Sequence, residues 1–205
     1  PDGEIINLDT LSERLYQVHT RIKLKMTFRG IRPPIWRRLY VPGDITVGDL
    51  SWVIQTIMQW NNLTTHSMNN GNMFYISKPA DGVLRSHELL EDDYTLCDVL
   101  LRKDDVELTY YYEYDPLWFV AIEFEDVETG VDPVENIPRL IAGKRAAPLD
   151  HIGNLDAYKS LVKMVKSGDE VQLAEALTHL GADFDPEAFD LDYLNSQLNE
   201  WSRIK

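Results

Sequence analysis

A chain of 205 residues, 44% hydrophobic and 26% charged, has an ordinary globular composition and is long enough to bury a substantial core. Its formal charge of −14, from 34 acidic and 20 basic residues, repels nucleic-acid phosphate at long range, so nucleic acid is not the expected partner. A lone cysteine, Cys97, excludes an intrachain disulfide and a cysteine-based metal cluster; no apolar run reaches the about 18 residues of a membrane span, and Pro1-Asp2-Gly3-Glu4 is no signal-peptide start, so a cytoplasmic protein without membrane contact is expected.

Residues 1–14 show no clear period and are read as an N-terminal arm. The rest, 15–205, is expected to form one α+β domain: a mostly antiparallel sheet with a packed helix (15–125), an irregular connection (126–154) and a helical section (155–205). From Tyr16 to Phe28 the alternation is strict. Tyr16, Val18, Ile22, Leu24, Met26 and Phe28 point one way, and Gln17, His19, Arg21, Lys23, Lys25 and Thr27 the other, as in a half-buried strand. Gly30 permits a turn, Pro33-Pro34 ends the ladder, and Ile35–Val41 returns. Thr46 with Asp49 resembles a capping box, followed by a helix burying Val47, Leu50, Val53, Ile54, Ile57, Met58 and Trp60.

Residues 61–72, including His66, read as a loop, Met73–Ile76 as a short strand and 77–93 as a surface loop. Thr95 caps a short helix, and Val106–Tyr114 and Trp118–Glu125 are strands joined by a hairpin turn. Residues 126–154 are rich in Pro, Gly and charge, and a connection of that length is either tied down or functional. Three helices then follow: Leu155–Lys166, Glu170–Leu180, and one opened by Asp185-Pro186-Glu187 and running to about Trp201.

Charge is segregated. Between Arg14 and Gly43 stand eight basic residues and no acidic one, leaving 12 basic against 34 acidic residues elsewhere. That hairpin is either a solvated strand face balanced by nearby carboxylates or a patch for an anion or an acidic protein.

Several motifs carry a resemblance. Pro33-Pro34-Ile35-Trp36-Arg37-Arg38, followed by a helix ending in Gln59-Trp60, resembles the plasmid pRiA4b ORF-3-like family, whose members include TnpR-type passenger proteins of insertion elements. Tyr112-Glu113-Tyr114-Asp115 with Trp118 resembles its Y-x-Y-D-F-G-D-x-W segment, and Phe184-Asp185-Pro186-Glu187-Ala188-Phe189-Asp190 its F-D-P-E-x-F-D signature. The resemblance implies an α+β fold with a ubiquitin-like strand–strand–helix start, and implies no known reaction. The chain also departs from the pattern. Thr64-Thr65-His66-Ser67-Met68 stands where many members have H-L-H-E-F, and Ala147 replaces the cysteine of C-P-P-E-D-x-G-G.

His66, His87 and His151 beside Asp150 have metal-ligand chemistry but no paired spacing, so neither metal nor cofactor is expected. There is no G-x-S-x-G elbow or glycine-rich phosphate loop, Cys97 sits in an apolar turn, and no catalytic residue is assigned. The candidate ligand- or partner-binding set is Trp36, Arg37, Arg38, His66, Tyr114, Asp115 and Trp118, because arginine grips carboxylate or phosphate while aromatics add apolar contact. The alternative makes Trp36 and Trp118 core and pairs Arg38 with Asp115. The expected function is a non-enzymatic binding or adaptor module contacting an acidic protein or a small anionic ligand through the basic hairpin. The competing expectation, a mobile-element enzyme or nucleic-acid-processing accessory protein, requires a pocket holding His66 and Asp115 within hydrogen-bond reach. The sequence carries no signal for oligomeric state.

Overall fold

The computed structural model describes residues 20–204 except 62–64, 102–107, 113–117, 133–134, 136, 151 and 153, and the backbone alone over 201–204. The N-terminal arm, the start of the first strand, Tyr114, Asp115 and His151 therefore lie outside the described residues.

The alternation forms β1 (Arg21–Phe28), whose Ile22, Leu24, Met26 and Phe28 are buried while the residues between them are half-exposed. Gly30 turns the chain with φ 79°, and a Cβ there would also meet the Leu155 side chain at 2.6 Å. The return strand β2 (Trp36–Pro42) pairs antiparallel with β1, Leu24 opposite Leu39 and Lys25 opposite Arg38. Thr46 then accepts a hydrogen bond from the Asp49 amide at 3.1 Å and starts α1 (Val47–Met58), which buries Leu50, Val53, Ile54 and Ile57 in the core shared with β1 and β2. The helix ends at Gln59, in the left-handed region at φ 59°.

The chain continues through β3 (His66–Asn69), β4 (Phe74–Ile76), β5 (Glu88–Leu90), a 3-10 turn (Glu91–Asp93) and α2 (Leu96–Leu101). Thr95 and Asp98 cap α2 reciprocally, Thr95 Oγ1 accepting from the Asp98 amide and Asp98 Oδ2 from the Thr95 amide. β6 (Leu108–Tyr112), β7 (Trp118–Glu128) and β8 (Arg139–Lys144) complete the strands, and α3 (Leu155–Val165), α4 (Glu170–Leu180) and α5 (Leu191–Ile204) the helices. The eight strands form one sheet in the order β5-β4-β3-β6-β7-β1-β2-β8, antiparallel except where β4 and β5 pair in parallel. A row of aromatic contacts (Tyr112–Trp60–Phe28–Trp118–Tyr158–Phe184) ties this sheet and Trp60, just after α1, to Tyr158 of α3 and to Phe184.

Three strands depart from the sequence expectation. His66 lies in β3 rather than a loop, because pairing with both β4 and β6 holds a four-residue polar segment that has no alternation of its own. β5 and β8 lie inside stretches read as irregular. β8 ties the 126–154 connection across the sheet by pairing with β2. The last helix also begins later than expected. Asp185-Pro186-Glu187 makes a turn, with Asp185 Oδ1 accepting from the Glu187 amide at 2.8 Å, and Asp190 is the residue that caps α5, accepting from the Tyr193 amide at 2.9 Å. No helix among the described residues is long and apolar enough to cross a membrane.

Candidate functional site

Trp36 and Arg38 lie on the side of β2 facing away from the core. There the basic side chains of the hairpin meet the carboxylates of β7. Lys25 pairs with Glu123 at 3.1 Å, Arg21 with Glu128 at 2.6 Å, and Arg38 holds Glu125 with two bonds of 2.7 and 2.6 Å while stacking over Trp36. The register explains Glu125. A bulge sets Lys23 opposite Asp126 but Leu24 opposite Phe124, and the extra residue, Glu125, reaches Arg38 from across β1. Among the described residues the partner of Arg38 is Glu125, and this face of the hairpin is the balanced, solvated one of the two readings.

One residue away, Arg37 points into the core and is only 2% exposed. Its guanidinium donates to the carbonyls of Ile57, Trp36, Lys144 and Arg145 at 2.8–3.2 Å and lies over the Phe189 ring. No carboxylate among the described residues pairs with it. Burial brings its pKa down from 12.5 to about 10, which still leaves it charged at neutral pH. Gly143 makes the space, since a Cβ there would meet the Phe189 ring at 2.5 Å and Arg37 Cδ at 3.0 Å. Arg37 therefore joins β2, α1, β8 and the C-terminal segment, and is closed to a ligand. Trp118, 1% exposed, is core, packed edge-on against Phe28.

His66 faces a carboxylate, but that of Glu91. Its Nε2 lies 2.9 Å from Glu91 Oε2, Ser77 donates to Oε1 at 2.5 Å, and Ser51 approaches at 3.4 Å. Burial alone would raise the Glu91 carboxyl, but the hydrogen bonds from His66, Ser77 and Ser51 outweigh it and hold the group below its ordinary value of 4.5. An ionised carboxylate only accepts, so His66 Nε2 is the donor to Glu91. Nδ1 then faces the Gln55 amide at 3.5 Å, and Gln55 in turn donates to Tyr110. Ser77 Oγ also lies 3.5 Å from His66 Nε2, and the cluster clamps α1, β3 and the 3-10 turn together. Among the described residues no group of three or more His, Cys, Asp or Glu is placed to hold a metal ion. Among the described members of the candidate set, Trp36, Arg37 and Arg38 on β2 are separated in the sheet from His66 on β3 by β6, β7 and β1, while Tyr114 and Asp115 lie outside the described residues.

The structure instead gathers charge at the hairpin tip. Ile31, Arg32, Pro33 and Ile35 form one wall of a cleft of about 450 Å³, opposite Tyr158, Lys159, Val162, Lys163 and Lys166 of and just after α3, with Arg145, Ser167, Gln172, Pro186 and Glu187 completing it. Five of these side chains are basic and one is acidic. Ile35, Tyr158 and Pro186 are buried at its floor. Arg145 sits at the base in the left-handed backbone region, φ 71°, its carbonyl held by Arg37 and its Nη1 donating to Pro34 O at 3.1 Å. Glu187 bridges Arg145 and Lys166 at 3.0 and 2.5 Å, and the Lys166 hydrogen bond, with Arg145 and Lys144 close by, holds its carboxyl below the ordinary value. Burial, with Glu187 adding to it, pushes the Tyr158 hydroxyl up to about 12, so it remains protonated beside the cleft. Sequence reasoning missed these residues. The available signal was the i, i+4, i+7 spacing of Lys159, Lys163 and Lys166, which aligns them on one helix face.

Comparison with known proteins agrees with the fold. The plasmid pRiA4b ORF-3-like protein family matches residues 20–193. A crystal structure of a protein of unknown function, MM3350, from Methanosarcina mazei Go1 superposes with a TM-score of 0.72 at 28% identity, over 86% of this chain and 97% of that one. No curated protein matches the chain. A match running from the residue before β1 into α5 takes in the basic hairpin, the aromatic row and the Phe184–Asp190 segment, of which Pro186 and Glu187 line the cleft, and the chain belongs to the plasmid pRiA4b ORF-3-like family.

Proposed function

We propose that the protein is a binding module that takes up an anionic ligand in the cleft between the hairpin tip and α3. The observation that carries this reading is the charge of the cleft. Five basic side chains face one carboxylate there, on a chain whose net charge is −14. Its volume is in the usual range of small-molecule sites, about 300–1,000 Å³, with an apolar floor and polar groups at the rim. The cations of the hairpin strands, by contrast, are already engaged by β7, which supports placing recognition at the tip and not along the strands.

Titration with inorganic phosphate at low ionic strength, followed by calorimetry, tests this. Binding is expected to weaken as salt is added and to be lost in a Lys159→Glu/Lys163→Glu variant. Equal binding by that variant, or no binding by the unmodified protein, would overturn the proposal.

A further inference from the structure

Resting on the cleft reading above, we infer that the ligand is a small amphiphilic anion, a phosphate or carboxylate head on an apolar body, and that the Glu187 carboxylate occupies the head position until the ligand displaces it. The lining divides into two parts. At one end Arg145 and Lys166 converge on Glu187, with Lys163 one helical turn before Lys166. At the other, Ile35, Tyr158 and Pro186 form a buried floor flanked by half-buried Ile31 and Val162. An inorganic ion uses only the first part, whereas an anion with a hydrocarbon or aryl body covers both.

Glu187 fits its position incompletely. Its Oε2 is 3.0 Å from Arg145 Nε, yet that nitrogen is buried and makes no hydrogen bond, because the carboxylate is within ion-pair distance but not aligned with the N–H. A buried donor left unused next to an acceptor is a cost that a better-placed oxygen removes. Arg145 is held ready for one by the Arg37–carbonyl bond, the Nη1 bond to Pro34 O and a backbone conformation that non-glycine residues seldom adopt. Glu187 itself is exposed, on a turn fixed by Asp185, so its side chain can leave without disturbing the core.

The test is calorimetric titration at constant ionic strength with hexyl phosphate and hexanoate, each against its bare head, inorganic phosphate and acetate. At least one of the two amphiphiles is expected to bind about tenfold or more tightly than its head alone. Glu187→Gln is expected to tighten the better probe about fivefold without lowering the melting temperature. Val162→Ser is expected to weaken the amphiphile and leave the bare head unchanged. If inorganic phosphate binds the cleft as tightly as hexyl phosphate, and acetate as tightly as hexanoate, the amphiphile inference fails while the anion-binding proposal stands. If Glu187→Gln weakens binding, Glu187 is not a placeholder. If no probe binds, or if Lys159→Glu/Lys163→Glu changes nothing, both readings fail.

Discussion

The strands of the basic hairpin and its tip carry the same kind of side chain and arrive at opposite electrostatic states. Along β1 and β2 the cations are matched by Glu123, Glu125 and Glu128 on β7, one of them delivered by a bulge. At the tip, Arg32 joins Arg145, Lys159, Lys163 and Lys166 around a single carboxylate. Segregated charge along a sequence is therefore a poor guide to uncompensated charge in space. Sheet pairing neutralised the conspicuous run, and the surplus gathered where three separate segments meet. Arg37 and Arg38 repeat the contrast at single-residue scale. The period of two sends one to four carbonyls in the core and the other to a carboxylate at the surface.

The sharpest way to break the contrast is to remove both arginines in turn. Arg37→Met leaves several buried carbonyls without a donor, and is expected to cost about 3–5 kcal/mol in denaturant unfolding. If it costs no more than Arg38→Ala, the assignment of Arg37 as a structural joint is wrong. Glu91→Gln comes next, at about 2–3 kcal/mol near neutral pH, since two short hydrogen bonds lose their charged acceptor. The pH dependence has a definite sign. The folded carboxyl lies below its ordinary 4.5, so its stabilisation is complete above that value and fades as pH falls through the lower folded value. The gap between Glu91→Gln and the unmodified protein should accordingly narrow on acidification, and a gap that stays constant from neutral to strongly acidic pH would contradict the clamp.

Gly143→Ala pushes a methyl group toward Phe189 and Arg37, and is expected to lower stability by about 1–3 kcal/mol. An unchanged melting temperature would show that the Arg37–Phe189 stack yields easily. Arg38→Ala removes a half-exposed pair and should cost about 1 kcal/mol or less, with the difference shrinking in high salt.

Local signals recovered much of this fold. The alternation of Arg21–Phe28, the Thr46 and Thr95 caps and the glycine-limited helices over 155–180 are set by neighbouring residues, and they formed where the sequence placed them. What escaped depends on distant partners. β3 is polar and short, and β8 buries only Leu140, so neither declares itself without β6 or β2 alongside. The described members of the candidate set lie apart for a related reason. Residues close in sequence, such as Arg37 and Arg38, are pointed apart by a strand, while the cleft draws on residues from Ile31 to Glu187 that no local pattern joins.

The most direct test of the contrast is a nitrogen-15 chemical-shift titration with inorganic phosphate at low salt. Shifts concentrated at Ile31, Arg32, Arg145 and Lys159–Ser167 are predicted, with little change along Lys23, Lys25 and Arg38. Shifts that follow the strands of the hairpin and spare α3 would place recognition on the face taken here to be neutralised, and would contradict the account.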